Sequence, residues 1–204
     1  ARGFAFTAIA AMGAFLVILT GGIDLSVGSV MGLAGLTTAI LGANGTPVPV
    51  AILTGVLAGL AVGMINGVLT ARLALAPFMV TLGMLSVVRG TAVAFTGGTP
   101  VQGIPEEIKY LGQGYIIGVP VPVWIMIILG VVLTAVMKRT TFGAYVYAIG
   151  GNEEAARLSG VRVRRVKIAV YGVAGMLGAI GGLLLTARLG VGESTSGTGY
   201  ELDV

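Results

Sequence analysis

Long apolar runs alternate with short polar or glycine-rich breaks along this chain. A helix needs about 20 apolar residues to cross ~30 Å of hydrocarbon at 1.5 Å per residue. Runs near that length cover residues 4–20, 25–41, 48–70, 77–95, 121–137 and 168–187. The first two are separated only by Gly21 and Gly22 and a short polar junction. Pro77 opens the fourth run, where a proline suits the first helical turn. The pattern predicts an all-α, polytopic transmembrane helical bundle with about six spans in one domain over residues 1–204. Residues 188–204 are rich in Gly, Ser and Thr and read as a loop leading to a further span. The chain opens on Ala1 and closes without a polar tail, so truncation at both ends is expected. No signal peptide is expected, because residues 1–4 lead straight into an apolar run.

Composition strengthens this reading. The chain is 56% hydrophobic and 10% charged, against a usual ~25% charged for a soluble domain. Its 35 glycines suit helices that pack backbone to backbone in lipid. Gly55, Gly59, Gly63 and Gly67 recur every four residues, and Gly172, Gly175, Gly178 and Gly181 every three. Both spacings read as smooth ridges for close helix packing. With no cysteine and no histidine, disulfides, thiol nucleophiles, histidine bases and N/S-ligated metal sites are excluded.

The net charge is +4. Seven of the twelve basic residues fall between Lys138 and Lys167. By the positive-inside rule, residues 138–167 form a cytoplasmic loop. The excess of positive charge therefore reports orientation and not nucleic-acid binding. Counting back, residues 96–114 lie outside and the turn at Arg72 inside. Tyr115 and Trp124 then fall at the outer interface, where aromatic residues collect. Residues 21–24 count as inside by alternation, or else form a break within the membrane.

Three stretches are candidates for function. In the first, Gly21 and Gly22 end one run, and Asp24, Ser26, Gly28 and Ser29 open the next. Asp24 is placed to cap the new helix. A carboxylate between two membrane runs also marks a translocation path, since transporters line their paths with broken helices. An ordinary capped turn remains the alternative. The second stretch is Asn152, Glu153, Glu154, Ala155, Ala156, Arg157, Leu158, Ser159 and Gly160. Asn152 suits an N-cap, the glutamates suit the positive helix end, and Gly160 suits the C′ position. A helix of about two turns is marginal alone, so it packs on the bundle's own face or docks a partner through Ala155, Ala156 and Leu158. The third is Arg89, inside the fourth run. It snorkels outward, pairs within the bundle, or serves the path. Asn66 is placed for an interhelical hydrogen bond. The outer residues Glu106, Glu107 and Lys109 read as a solvated surface or a face toward an extracytoplasmic partner. No nucleotide-binding glycine loop is present.

Five ordered motifs resemble one family, the permease subunits of ribose-type bacterial ABC sugar importers. They are LTGGIDLSVGS at 19–29, PFMVTLGMLSVVRG at 77–90, GVPVPVW at 118–124, TTFGAYVYAIGGNEEAARLSGVRVRRVKI at 140–168 and GTGYELD at 197–203. The resemblance implies a transport subunit and not an enzyme, working in a bacterial cytoplasmic (inner) membrane. It binds no cofactor directly, and a separate ABC ATPase uses the ATP. It implies a second permease copy, identical or paralogous, and an extracytoplasmic sugar-binding protein. It makes residues 152–160 the coupling helix that docks the ATPase, and sets residues 21–29 near the path. Family members are longer, so an N-terminal span and several C-terminal spans are expected outside this chain. An ion-coupled secondary transporter is the competing reading, since Asp24 in a helix break suits proton or sodium coupling. Another is an ABC permease for a different small solute.

Overall fold

The computed structural model describes residues 2–204, with side chains from residue 3 onward. Ten helices follow one another: α1 (Arg2–Leu19), α2 (Val27–Ala43), α3 (Val48–Ala71), α4 (Pro77–Thr96), α5 (Glu106–Gln113), α6 (Val121–Arg139), α7 (Thr141–Gly151), α8 (Glu153–Leu158), α9 (Val163–Leu189) and α10 (Tyr200–Asp203). Four of them, α3, α4, α6 and α9, are long and apolar enough to cross a membrane. α1 and α2 are shorter apolar helices.

The core lies where α9 meets α1, α2 and α3. In its most apolar window α9 is 72% buried, whereas α6 is 17% buried. A helix apolar on all sides is stable only inside a protein or in lipid. α9 therefore has protein around it, and the bare face of α6 is left for acyl chains. Glycine sets the spacing in the core. A Cβ on Gly63 would strike the Tyr171 carbonyl, and one on Gly59 would stand 2.6 Å from the Gly175 carbonyl. The α3 ridge thus presses bare backbone against α9.

The glycines of α9 do not form one ridge, contrary to expectation. Gly175 faces Gly59 and Gly63 of α3, Gly178 faces Val27 of α2, and Gly181 faces the Phe6 carbonyl of α1. Three residues fall about 60° short of a full turn at 3.6 residues per turn. Successive glycines therefore wind round the helix, from α3 at Gly172 and Gly175 to α2 at Gly178 and α1 at Gly181.

Two polar stretches hold more structure than their composition suggests. The stretch between α4 and α6 contains α5 and a hairpin, β1 (Tyr115–Ile116) with β2 (Val119–Pro120), in which Tyr115 pairs with Pro120 and Ile116 with Val119. The Trp124 indole donates to the Ile116 carbonyl at 3.2 Å, fixing the hairpin to the start of α6. The basic stretch 138–167 contains α7, α8 and the first turn of α9, which starts at Val163 and not near Ile168.

Candidate functional site

Gly21 and Gly22 end α1 by a specific backbone closure. The Gly22 N–H donates to the Val17 carbonyl at 3.0 Å and the Gly21 N–H to the Ile18 carbonyl at 2.9 Å. Gly21 takes φ 75°, the left-handed conformation that this closure requires and glycine adopts at least cost. Gly22 has a second reason to lack a side chain. A Cβ there would stand 2.5 Å from the Tyr171 hydroxyl of α9.

Beyond the break, a relay of hydrogen bonds fixes the entry to α2. Asp24 Oδ1 accepts the Ser26 N–H at 2.8 Å and the Ser26 hydroxyl at 2.6 Å. Ser26 Oγ in turn accepts from Asn66 Nδ2 of α3 at 2.9 Å. Ser26 and Asn66 are fully buried, and Asn66 Oδ1 has no partner. The Thr81 hydroxyl of α4 donates to the Ile23 carbonyl at 3.2 Å, and the Ser29 hydroxyl to the Leu85 carbonyl at 3.0 Å. The expectation that Asp24 caps the first turn of α2 is corrected. Ser26 itself occupies the N-cap, and Asp24 stands two residues earlier, so its carboxylate folds onto Ser26 and not onto the orphan helix N–H groups.

The helices serve as rulers for the depth of this break. Asn66 lies five residues before the inner end of α3, or about 7 Å at 1.5 Å per residue. Leu85 lies eight residues into α4, or about 12 Å. Residues 26–29 therefore sit inside the bundle, toward the end that carries α7 and α8. Of the two readings of residues 21–24, the structure bears on the second: the break lies below the ends of α3 and α4.

The last stretch of the chain turns back toward this break. Gly192 exchanges backbone hydrogen bonds with Val101 of the outer loop at 2.8 and 2.9 Å. From there the chain runs along α2, past Ala39, then Gly32, then Gly28. A Cβ on Gly28 would strike the Glu201 carboxylate and the Gly197 carbonyl. Irregular backbone at this depth persists only when protein or a watered cavity surrounds it. Its carbonyls press against the bare glycine face of α2. Glu201, on α10, stands 3.8 Å from the Arg89 guanidinium of α4. Of the alternatives for Arg89, pairing within the bundle is the one found.

Between α7 and α9, α8 is capped at both ends. Asn152 Oδ1 accepts the Ala155 N–H at 2.9 Å. At the other end Gly160 takes φ 87° and Val161 N–H donates to the Ala156 carbonyl. Glu154 pairs with Arg157 at 2.7 Å, and Glu153 with Lys167 of α9 at 2.6 Å. The expected apolar surface is split. Ala156 turns inward to the cluster with Val146, Val163 and Val166, while Leu158 points away and is 79% exposed.

The structure therefore brings Gly21, Gly22, Asp24, Ser26 and Asn66 into one buried junction. Gly28, Ser29 and Arg89 join α2 to α4 and to the returning chain, and residues 152–160 stand apart at the inner face. Sequence reading missed Glu201 and Tyr171. Glu201 lies in a stretch whose composition signals only loop. Tyr171, in the glycine-rich run, was the one hydroxyl facing the break from α9.

The family model described as a branched-chain amino acid transport system / permease component matches residues 1–204. The ribose import permease protein of Bacillus subtilis (strain 168) is 42% identical over 204 residues, covering 99% of this chain and 63% of its own length. That of Escherichia coli (strain K12) is 42% identical over 200 residues, covering 96% and 62%. The autoinducer 2 import system permease protein of Escherichia coli O9:H4 (strain HS) is 38% identical over 192 residues, covering 94% and 56%. The chain thus spans less than two thirds of the length of these relatives. No solved structure matches.

Proposed function

The chain belongs to the family of branched-chain amino acid transport system permease components, and from that premise we propose that it is the membrane-spanning core of an ATP-driven importer for a simple sugar. The observation that carries the reading is the buried helix break at residues 21–26, held by Asp24, Ser26 and Asn66 in the inner part of the bundle. Polar groups at that depth are costly unless they serve a path or one another. Here Asn66 Oδ1 remains without a partner, which suits a junction that solvent or a polyhydroxylated solute reaches in another conformation. Both ribose import permeases align along nearly the whole chain, so a ribose-like pentose or hexose is the solute class.

The chain performs no covalent chemistry in this reading. A separate ABC ATPase in the cytoplasm supplies the energy, and α8 is where it docks. α8 is anchored by Ala156 and offers Leu158, so a push on the exposed side is delivered to α7 and α9. α9 carries that movement to the core, where it touches α1, α2 and α3. Alternating access then follows as rocking of packed elements about the break. An extracytoplasmic binding protein delivers sugar to the outer face built by α5 and the hairpin. A second permease copy completes the pathway in the bacterial inner membrane.

Gentle purification of the full-length protein from its native membrane tests the reading. An ABC ATPase is expected to co-purify, and Leu158→Glu is expected to remove it. Absence of any ATPase, under conditions that keep other ABC complexes intact, contradicts it and favours ion coupling.

A further inference from the structure

A cavity of about 720 Å³ opens at the cytoplasmic side between the helix break, the inner ends of α3 and α4, and the start of α9. Five cations line it: Arg157, Arg162, Arg164, Arg165 and Lys167. Glu153 is the sole acidic residue in its wall. Arg157 is engaged by Glu154 and Lys167 by Glu153. Arg162, Arg164 and Arg165 make no ion pair among the described residues, and all three are exposed.

Two further features point to a ligand. α9 begins at this cavity with Arg162 at its N-cap and no side-chain cap, so the positive end of a 27-residue helix adds to the field. On the cavity's inner wall stands Tyr171, 2% exposed. Its hydroxyl has no partner at hydrogen-bonding geometry, with the Thr70 hydroxyl and the Asp24 carboxylate its polar neighbours. A buried donor without an acceptor costs about 1–3 kcal/mol, a cost removed when an anion's oxygen reaches it. Three guanidinium groups without an ion pair, each a planar fork, match the paired oxygens of a phosphate group.

We propose that this cavity is a binding site for a phosphate-bearing anion at the cytoplasmic mouth of the bundle, held by Arg162, Arg164 and Arg165 with the Tyr171 hydroxyl beneath them. It stands whichever solute the protein carries. Basic pockets between membrane helices on the cytoplasmic side take anionic lipid headgroups. A soluble phosphate ester presents the same chemistry, and the experiment separates the two sources.

The test uses the purified full-length protein. Native mass spectrometry reads retention of cardiolipin, phosphatidylglycerol and phosphatidylcholine; equilibrium dialysis reads inorganic phosphate in lipid-free detergent. The variant is Arg162→Gln/Arg164→Gln/Arg165→Gln. The control is Lys138→Gln/Arg139→Gln, cations of the same face outside the cavity. At least a tenfold loss of anion binding is expected in the triple variant and less than twofold in the control. Loss confined to the anionic lipids identifies a headgroup site, and loss of inorganic phosphate identifies a soluble ester. Equal retention of neutral and anionic lipid with no phosphate bound overturns the proposal. So does equal loss in variant and control. A triple variant that keeps its lipid and phosphate but sheds an ATPase also overturns it, and gives these cations to protein docking.

Discussion

Arg89 of α4 and Glu201 of α10 form an ion pair, 3.8 Å apart, across the first turn of α2. Gly28 makes room for it, because any side chain there would occupy the carboxylate's place. The side chains are 28% and 14% exposed, so neither charge is well solvated. Removing one partner leaves the other poorly compensated, at a cost of about 1–3 kcal/mol. Arg89→Gln and Glu201→Gln are each expected to lower the thermal midpoint of the purified full-length protein. The double variant should lose less than the sum of the two. Strict additivity would show that the two residues are not coupled.

Gly63 tests the backbone packing of α3 on α9. Gly63→Ala would drive a methyl group into the Tyr171 carbonyl. Overpacking of this kind costs about 1–3 kcal/mol. Gly83, on the exposed side of α4, has nothing within 4 Å of an added Cβ. Gly83→Ala is expected to be neutral or to stabilise by about 0.5–1 kcal/mol, the helix preference of alanine over glycine. Detergent thermal melts of the two variants check the contrast.

At the break, the acceptor is the property that counts. Asp24→Asn keeps the Oδ1 that receives both Ser26 hydrogens, and Asp24→Ala removes it. In the full-length protein, Asp24→Ala is expected to lower uptake at least tenfold with membrane insertion unchanged. Asp24→Asn should retain a substantial fraction of uptake. Equal loss in both would assign the role to the charge and favour an ion-coupled mechanism.

Leu158 separates docking from folding. It is 79% exposed while its neighbour Ala156 is buried. Leu158→Glu is expected to leave folding stability within about 0.5 kcal/mol of wild type, as exposed substitutions do, and to abolish ATPase association in pull-downs. Ala156→Glu should do the opposite first, unfolding the end of the bundle where Ala156 packs on Val146, Val163 and Val166.

The sequence disclosed most of the bundle because each apolar run is long and ends at glycine, proline or charge. The break at Gly21–Asp24 was legible for a local reason: two glycines and a carboxylate interrupt otherwise continuous apolar residues. α7 was not, since its Gly, Ala and Tyr residues carry no helical stripe and lie within a stretch marked by charge. The start of α9 was hidden by Arg164, Arg165 and Lys167, which continue the helix beyond its apolar run. The partnership of Arg89 with Glu201 joins residues distant in the chain, and single-sequence patterns carry no such pairing. The same holds for Asn66, where the hydrogen bond was foreseen but not its partner Ser26.

The most direct measurement is uptake of labelled ribose into proteoliposomes containing the full-length permease, its ATPase and its binding protein. Uptake is expected to require ATP inside the vesicle and to persist with a protonophore. Uptake that proceeds without ATP and collapses with the protonophore would contradict the account.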